Sequence, residues 1–221
     1  MRNVLSYLDA FAPLLTFIFF LRNKEALKEK TFRYIFLFLI VQVVFNSMAT
    51  GIALIMKYYF HEMGNNIIFF HLNCLISFYA ILCYFKEVKV IKTRLLIFVL
   101  FVMMYVWCLI IGDGIFRFNS IGYSLASLSV IILCFKYYYF LLQNPQLDNF
   151  FYSPNFWIIT GLLTYNVCNF IIFITFSYLA KNTPHTGDLW LFHNVLLAIL
   201  CMYLIKAVIC KKKELMLFSS L

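Results

Sequence analysis

Charge is scarce in this chain. Of its 221 residues, 12% are Asp, Glu, Lys or Arg, whereas a soluble domain carries about 25%, and so thin a polar surface excludes a soluble domain. Acid is scarcer than base, with nine Asp and Glu against 18 Lys and Arg, and no carboxylate falls in the middle of an apolar segment. A retinal-type Schiff base on Lys136 or Lys206 would therefore lack its counter-ion, and both lysines are read as snorkelling to the nearer interface. Proline is confined to Pro13, Pro145, Pro154 and Pro184. None lies in mid-segment beyond the first segment, so the paired helix breaks that mark many transporters are missing. The seven cysteines include no C-x-x-C pair and lie within or at the ends of apolar segments. That leaves neither a disulfide framework nor a thiolate zinc site.

Catalytic motifs are missing as well. Intramembrane metal hydrolases need grouped ligands such as H-E-x-x-H or H-x-x-x-H, and intramembrane serine proteases need a serine in a glycine-rich setting with a histidine base. Neither pattern occurs. His61, Glu62, Asp113, His185 and Asp188 have no metal-ligand spacing and read as solvated loop residues. The Pro145-Gln146 pair, a dipeptide of small sugar and amino-acid transporters, falls in a loop and is read as chance. No enzymatic activity, metal or cofactor is expected.

What the chain has is apolar surface: 64% hydrophobic and 20% aromatic residues, with a mean hydropathy of +0.90. Seven segments approach the roughly 20 residues that a helix needs to cross a bilayer: 4–21, 32–57, 66–85, 93–111, 115–142, 154–180 and 188–210. The expected fold is all-α, a single polytopic bundle of seven transmembrane helices over residues 1–221, with no second domain and no internal repeat. Ser153-Pro154 reads as a cap and first helical residue, Gly187-Asp188 as a break and a cap, and Gly112-Asp113-Gly114 as a tight turn. The first segment is interrupted by Asp9 and Pro13. It is not read as a cleaved signal peptide, because one base precedes it and five follow, the reverse of a signal peptide's order.

The net charge of +9 reports orientation. Fourteen bases fall on one side: Arg22, Lys24, Lys28, Lys30, Arg33, Lys86, Lys89, Lys92, Arg94, Lys136, Lys206, Lys211, Lys212 and Lys213. Four fall on the other: Arg2, Lys57, Arg117 and Lys181. The positive-inside bias then predicts an outside N-terminus and a cytoplasmic C-terminus in the inner membrane. Partners follow: the lipid bilayer, with anionic head groups at the basic side, and no nucleic acid, since no basic stripe exists outside these loops. Trp107, Trp157 and Trp190 fall near segment ends, where indoles favour the interface.

Polar residues inside a membrane need a partner or a purpose. Gln42, Asn46 and Thr50 recur at steps of four in the second segment, as do Gly161, Tyr165 and Asn169 in the sixth, with Asn166 about 60° away. Asn46 and Asn166 lie at nearly equal depth, about 20 Å from the basic side. One connected cluster of Gln42, Asn46, Tyr165, Asn166 and Asn169 is therefore expected. Two readings stay open for it, interhelical glue or a ligand pocket that also takes in Thr50 and His193. His71 and Asn73 sit about 200° apart, and His193 and Asn194 about 100°. One of each pair is expected to meet head groups or a neighbouring backbone. Ser120, Ser124 and Ser127, and Gly122 with Ala126, read as close-packing faces.

Asn144-Pro145, Ser153-Pro154-Asn155-Phe156-Trp157-Ile158, Gly161-Leu162-Leu163-x-Tyr165 and Trp190-x-x-His193-Asn194 resemble a group of small seven-helix bacterial membrane proteins of unassigned activity. Some of these are similar to the membrane input modules of sensor histidine kinases. The resemblance carries over no catalytic residue. It implies a receptor-like or regulatory subunit that signals through a separate effector protein at the cytoplasmic face, since no output domain accompanies it, and homo-oligomers are compatible with it. The alternatives are a small-solute transporter or channel, or a membrane-acting accessory defence protein.

Overall fold

The structure, a computed structural model, describes residues 5–60, 66–143, 150–182 and 186–219. Arg2, His61, Glu62, the Asn144-Pro145-Gln146 stretch, Pro184 and His185 lie outside the described residues. In lipid a backbone N–H or C=O has no water to bond, so apolar segments of this length satisfy themselves as helices. Seven form: α1 (Leu8–Arg22), α2 (Lys30–Ile55), α3 (Ile67–Glu87), α4 (Arg94–Cys108), α5 (Ser120–Gln143), α6 (Pro154–Asn182) and α7 (Thr186–Ser219), with no strand among the described residues. Six of them, α2 to α7, are long and apolar enough to cross a membrane, which makes this a multi-pass membrane protein. The 15 residues of α1 extend about 22 Å, short of the roughly 30 Å hydrocarbon core.

Most boundaries fall within about a turn of the sequence reading, the first helix beginning at Leu8 rather than Val4, and three further differences bear on the fold. The fifth helix starts at Ser120 rather than Ile115, because Asn119 turns inward and caps it. Its Oδ1 accepts from the Gly122 backbone N–H at 2.9 Å and its Nδ2 donates to the Tyr105 carbonyl at 3.2 Å. The last helix continues past Cys210 to Ser219, since buried Lys211 pairs with both Glu214, one turn on, and Glu29. Gly187 and Asp188 sit inside the first turn of α7 and do not precede it. Pro154 is the first residue of α6, as read. The 109–113 stretch ends α4 in a single wide turn of π type.

The helices α1, α2, α3, α5, α6 and α7 form a ring, closed where α1 packs against α7, while α4 packs against the outside of α3 and α5. Exposure follows from that place. In the apolar stretch of α3, 56% of the residues are buried, against 11% in α4. Glycine sets two of the contacts. A Cβ on Gly161 of α6 would stand 2.7 Å from the Tyr203 Cβ of α7, and one on Gly122 of α5 would stand 2.6 Å from the Tyr105 ring of α4.

We call the end with the 22–33 and 86–94 loops and Lys211, Lys212 and Lys213 the basic end, and the other the far end. Every buried polar side chain among the described residues, tyrosine and cysteine aside, lies at mid-depth or toward the far end, except Thr16 and Lys211. All seven cysteines are free thiols.

Candidate functional site: a polar cavity inside the helix ring

The site begins with a missing donor. Pro13 lies inside α1 and has no N–H, so the Asp9 carbonyl four residues earlier loses its helical partner. Asn46 of α2 replaces it, donating from Nδ2 to the Asp9 carbonyl at 3.0 Å. An interruption in one segment thus meets an amide in the next.

From Asn46 the bonds pass to α3. Gln42 Nε2 donates to Asn73 Oδ1 and to Ser77 Oγ, both at 2.8 Å. Asn73 Nδ2 donates to Asn46 Oδ1 at 2.9 Å and to Gln42 Oε1 at 3.4 Å, and Ser77 Oγ donates to Asn73 Oδ1 at 2.9 Å. Asn46 Nδ2 also reaches Gln42 Oε1 at 3.3 Å. Both N–H groups and both lone pairs of the Gln42 and Asn73 carboxamides are thereby used. These two residues hold helices together and offer little to a guest.

The opposite wall is arranged differently. Asn166 Nδ2 bonds within its own helix, to the Leu162 carbonyl at 2.7 Å, leaving Oδ1 uncommitted. Asn169 Nδ2 likewise donates to the Tyr165 carbonyl at 2.9 Å, and its Oδ1 lies 2.7 Å from His193 Nδ1. Since Oδ1 is an acceptor, Nδ1 carries the proton, and a neutral His193 keeps a lone pair on Nε2.

Between the walls lies a cavity of about 70 Å³, lined from all six ring helices: Asp9 from α1, Gln42 and Asn46 from α2, Asn73 and Ser77 from α3, Ser127 from α5, Tyr165 and Asn166 from α6, and His193 from α7. That is room for a few water-sized occupants. Phe70 and Trp190 line its far side, ring centroids 5.1 Å apart and edge to face. Phe118, on the loop before α5, backs them at 5.6 Å from Trp190 and 4.9 Å from Phe176. On the basic side Phe38, Phe78, Ile81 and Val130 form the floor, with fully buried Leu82, Phe85, Ile158, Ile159 and Leu162 in the same core.

Of the residues singled out from sequence, Gln42, Asn46, Tyr165, Asn166 and His193 line this cavity, and Thr50 and Asn169 do not. Asn169 is fully buried and positions His193. Thr50, one turn beyond Asn46, is half-buried. The expected single cluster is corrected in one respect: Asn46 and Asn166 share the cavity, but no hydrogen bond among the described residues joins the two walls, because each amide bonds to a nearer neighbour. Four of the polar lining residues are not in the sequence-based grouping: Asp9, Asn73, Ser77 and Ser127, the last read there as part of a packing face. The step of four between Asn73 and Ser77 repeats the pattern of Gln42 and Asn46 and was the available signal.

The two histidine pairs divide as their angles require. His71 faces away from the cavity. Its Nε2 donates to the Ile115 carbonyl at 3.1 Å, so its Nδ1 accepts from the Tyr105 hydroxyl at 2.8 Å, and both nitrogens are spent on holding α4 and the following loop. Asn194 bonds the Leu5 and Ser6 carbonyls at 3.2 and 3.4 Å. Among the described residues two buried side-chain oxygens have no hydrogen-bond partner, Asp9 Oδ1 and Asn194 Oδ1. Among the described residues no three of His, Cys, Asp and Glu stand close enough to hold a metal ion together. Compared with known proteins, the chain matches no family model, no curated protein and no solved structure.

Proposed function

We propose that this chain is a receptor-like or regulatory protein of the inner membrane, without enzymatic activity, in which occupancy of the internal cavity is read at the basic face by a separate signalling or effector protein. The N-terminus lies outside in this reading, the basic end is cytoplasmic, and α1 is a seventh span. The backbone carbonyls of Leu5 and Ser6, bonded to Asn194, and Arg22 at the end of α1 support that span. These 18 residues extend about 27 Å if helical throughout.

The observation that carries the reading is the blind floor. A transport path needs polar or water-accessible surface on both sides of its site, whereas here the polar lining gives way to Phe38, Phe78, Ile81 and Val130. A cavity touched by six helices and closed toward the cytoplasm suits a protein that converts occupancy into a small shift of helix ends. Accessibility tests this. In a variant with the seven native cysteines replaced and Ser127→Cys added, a membrane-impermeant thiol reagent is expected to label from the outside of intact cells and not in inside-out vesicles. Labelling from both sides would establish a through-path and end the reading.

A further inference from the structure

We propose that the cavity binds a small monovalent cation of about the size of sodium, with the Asp9 carboxylate as its counter-charge. The inference rests on the reading of the cavity as a ligand site and names its ligand.

The first observation is the orphaned carboxylate. Asp9 is 7% exposed and its Oδ1 is buried without a partner. Among the described residues no Lys or Arg lines the cavity. A carboxylate in low dielectric needs a compensating positive charge, and none is supplied by the lining side chains.

The second observation is the polarity of what remains unbonded. Gln42 and Asn73 have spent all their N–H groups on each other, Asn46 and Ser77, and Tyr123 has spent its hydroxyl proton on the Phe70 carbonyl at 2.5 Å. What is left is mostly acceptors: Asp9 Oδ1, the second lone pair of Asn46 Oδ1, Asn166 Oδ1 and the Nε2 lone pair of His193. The hydroxyls of Ser127 and Tyr165, which also line the cavity, can turn a lone pair inward as well, so a cation meets more ligands than an anion meets donors.

The third observation is charge and size. One carboxylate balances one positive charge, and divalent calcium sites draw on several carboxylates and six to eight oxygens. A volume of about 70 Å³ takes a small ion with a few waters. Carboxamide and carboxylate oxygens are hard ligands suited to such an ion.

Thermal unfolding of the purified, detergent-solubilised protein in sodium chloride against equimolar choline chloride tests the proposal. Sodium is expected to raise Tm in a saturable way that choline does not reproduce. Asp9→Asn, nearly isosteric, is expected to weaken the apparent sodium affinity about a hundredfold, and Asn166→Leu, which keeps the charge, about tenfold. Direct binding of radiolabelled sodium to the wild-type protein provides a readout that needs no variant to fold. Equal Tm in the two salts together with no bound label would overturn the proposal, as would full sodium dependence in Asp9→Asn. The Ser127→Cys accessibility result is independent of either outcome. One-sided labelling with no sodium effect would retire the cation and keep the ligand cavity, and two-sided labelling would retire the cavity's receptor reading itself.

Discussion

The two ends of the bundle are built by different means. At the basic end the helices meet mostly through apolar side chains and a glycine: Phe20 packs on Phe32 and Phe36, Gly161 admits Tyr203, and the hydroxyl bonds between helices include Tyr84 to Asn155 and Tyr138 with Thr160. At mid-depth and toward the far end they meet through amides, hydroxyls and histidines around a cavity. In water the apolar half would be the obvious source of stability. In a bilayer it is not, because lipid tails are as apolar as leucine and separating two apolar helices exposes nothing to water. Shape must do most of the holding in the basic half, and directed bonds most of it in the far half. The first should therefore tolerate little change of volume, and the second little loss of a partner.

The largest expected effect tests shape. A Cβ on Gly161 already falls 2.7 Å from the Tyr203 Cβ and 3.1 Å from Leu200 Cδ1, so Gly161→Leu must push α7 away from α6. Overpacking of this kind costs about 1–3 kcal/mol, and the upper end is expected where a backbone has to move. Equilibrium unfolding in mixed micelles measures it. A loss below about 0.5 kcal/mol would mean that the basic half is not closely packed, and the contrast would dissolve.

Next in size is the loss of a shared partner. Asn73→Leu removes the acceptor of Gln42 Nε2 and the donor to Asn46 Oδ1. At roughly 0.6 kcal/mol for each interhelical bond, with a further penalty for groups left unpaired, about 2 kcal/mol is expected. Asn166→Leu is the control, since its amide bonds only to its own helix at Leu162, and about 0.6 kcal/mol or less is expected there. The same unfolding assay ranks them. Equal losses would show that bonding across helices is not what distinguishes the far half.

Much of this division was legible in the sequence, and where it was not the reason is physical. The seven helices follow from apolar length, and the inward face of Gln42 and Asn46 from their step of four. Helical geometry also set the opposed roles of His71 and Asn73. Which helix would answer Gln42 was not legible. Depth allowed Asn166, but neighbourhood in the ring is a tertiary fact, and α3 lies against α2. The inward fold of Phe118 and Asn119 was hidden because Ile115, Phe116 and Phe118 prolong the apolar run. The extension of α7 to Ser219 was hidden because hydropathy marks where a helix leaves the membrane, not where it ends.

A smaller effect is expected at the basic end's buried lysine. Lys211 is 7% exposed and pairs with Glu29, 45% exposed, and with Glu214, 40% exposed. The carboxylates can rehydrate when the lysine is removed, so the loss is nearer that of a surface ion pair, about 1 kcal/mol or less. The effect should be local. Lys211→Met is expected to speed amide hydrogen exchange in residues 211–219 while leaving α2 and α3 unchanged. A global loss of protection would mean that this ion pair, rather than packing, fastens the basic half.

The finest test concerns one bond in the far half. Pro13 deprives the Asp9 carbonyl of its helical donor, and Asn46 Nδ2 supplies another at 3.0 Å. Pro13→Ala restores an N–H four residues on, in the register of the α-helix. Asn46→Leu should therefore cost less in the Pro13→Ala background than in the wild type. The loss of the Gln42 and Asn73 bonds is common to both backgrounds and cancels in a double-mutant cycle, so the coupling isolates the bond to the carbonyl. About 0.6 kcal/mol is expected, the average for a polar pair inside a membrane. A coupling indistinguishable from zero would mean that Asn46 is held by α3 alone and that the proline in α1 plays no part in placing the cavity wall.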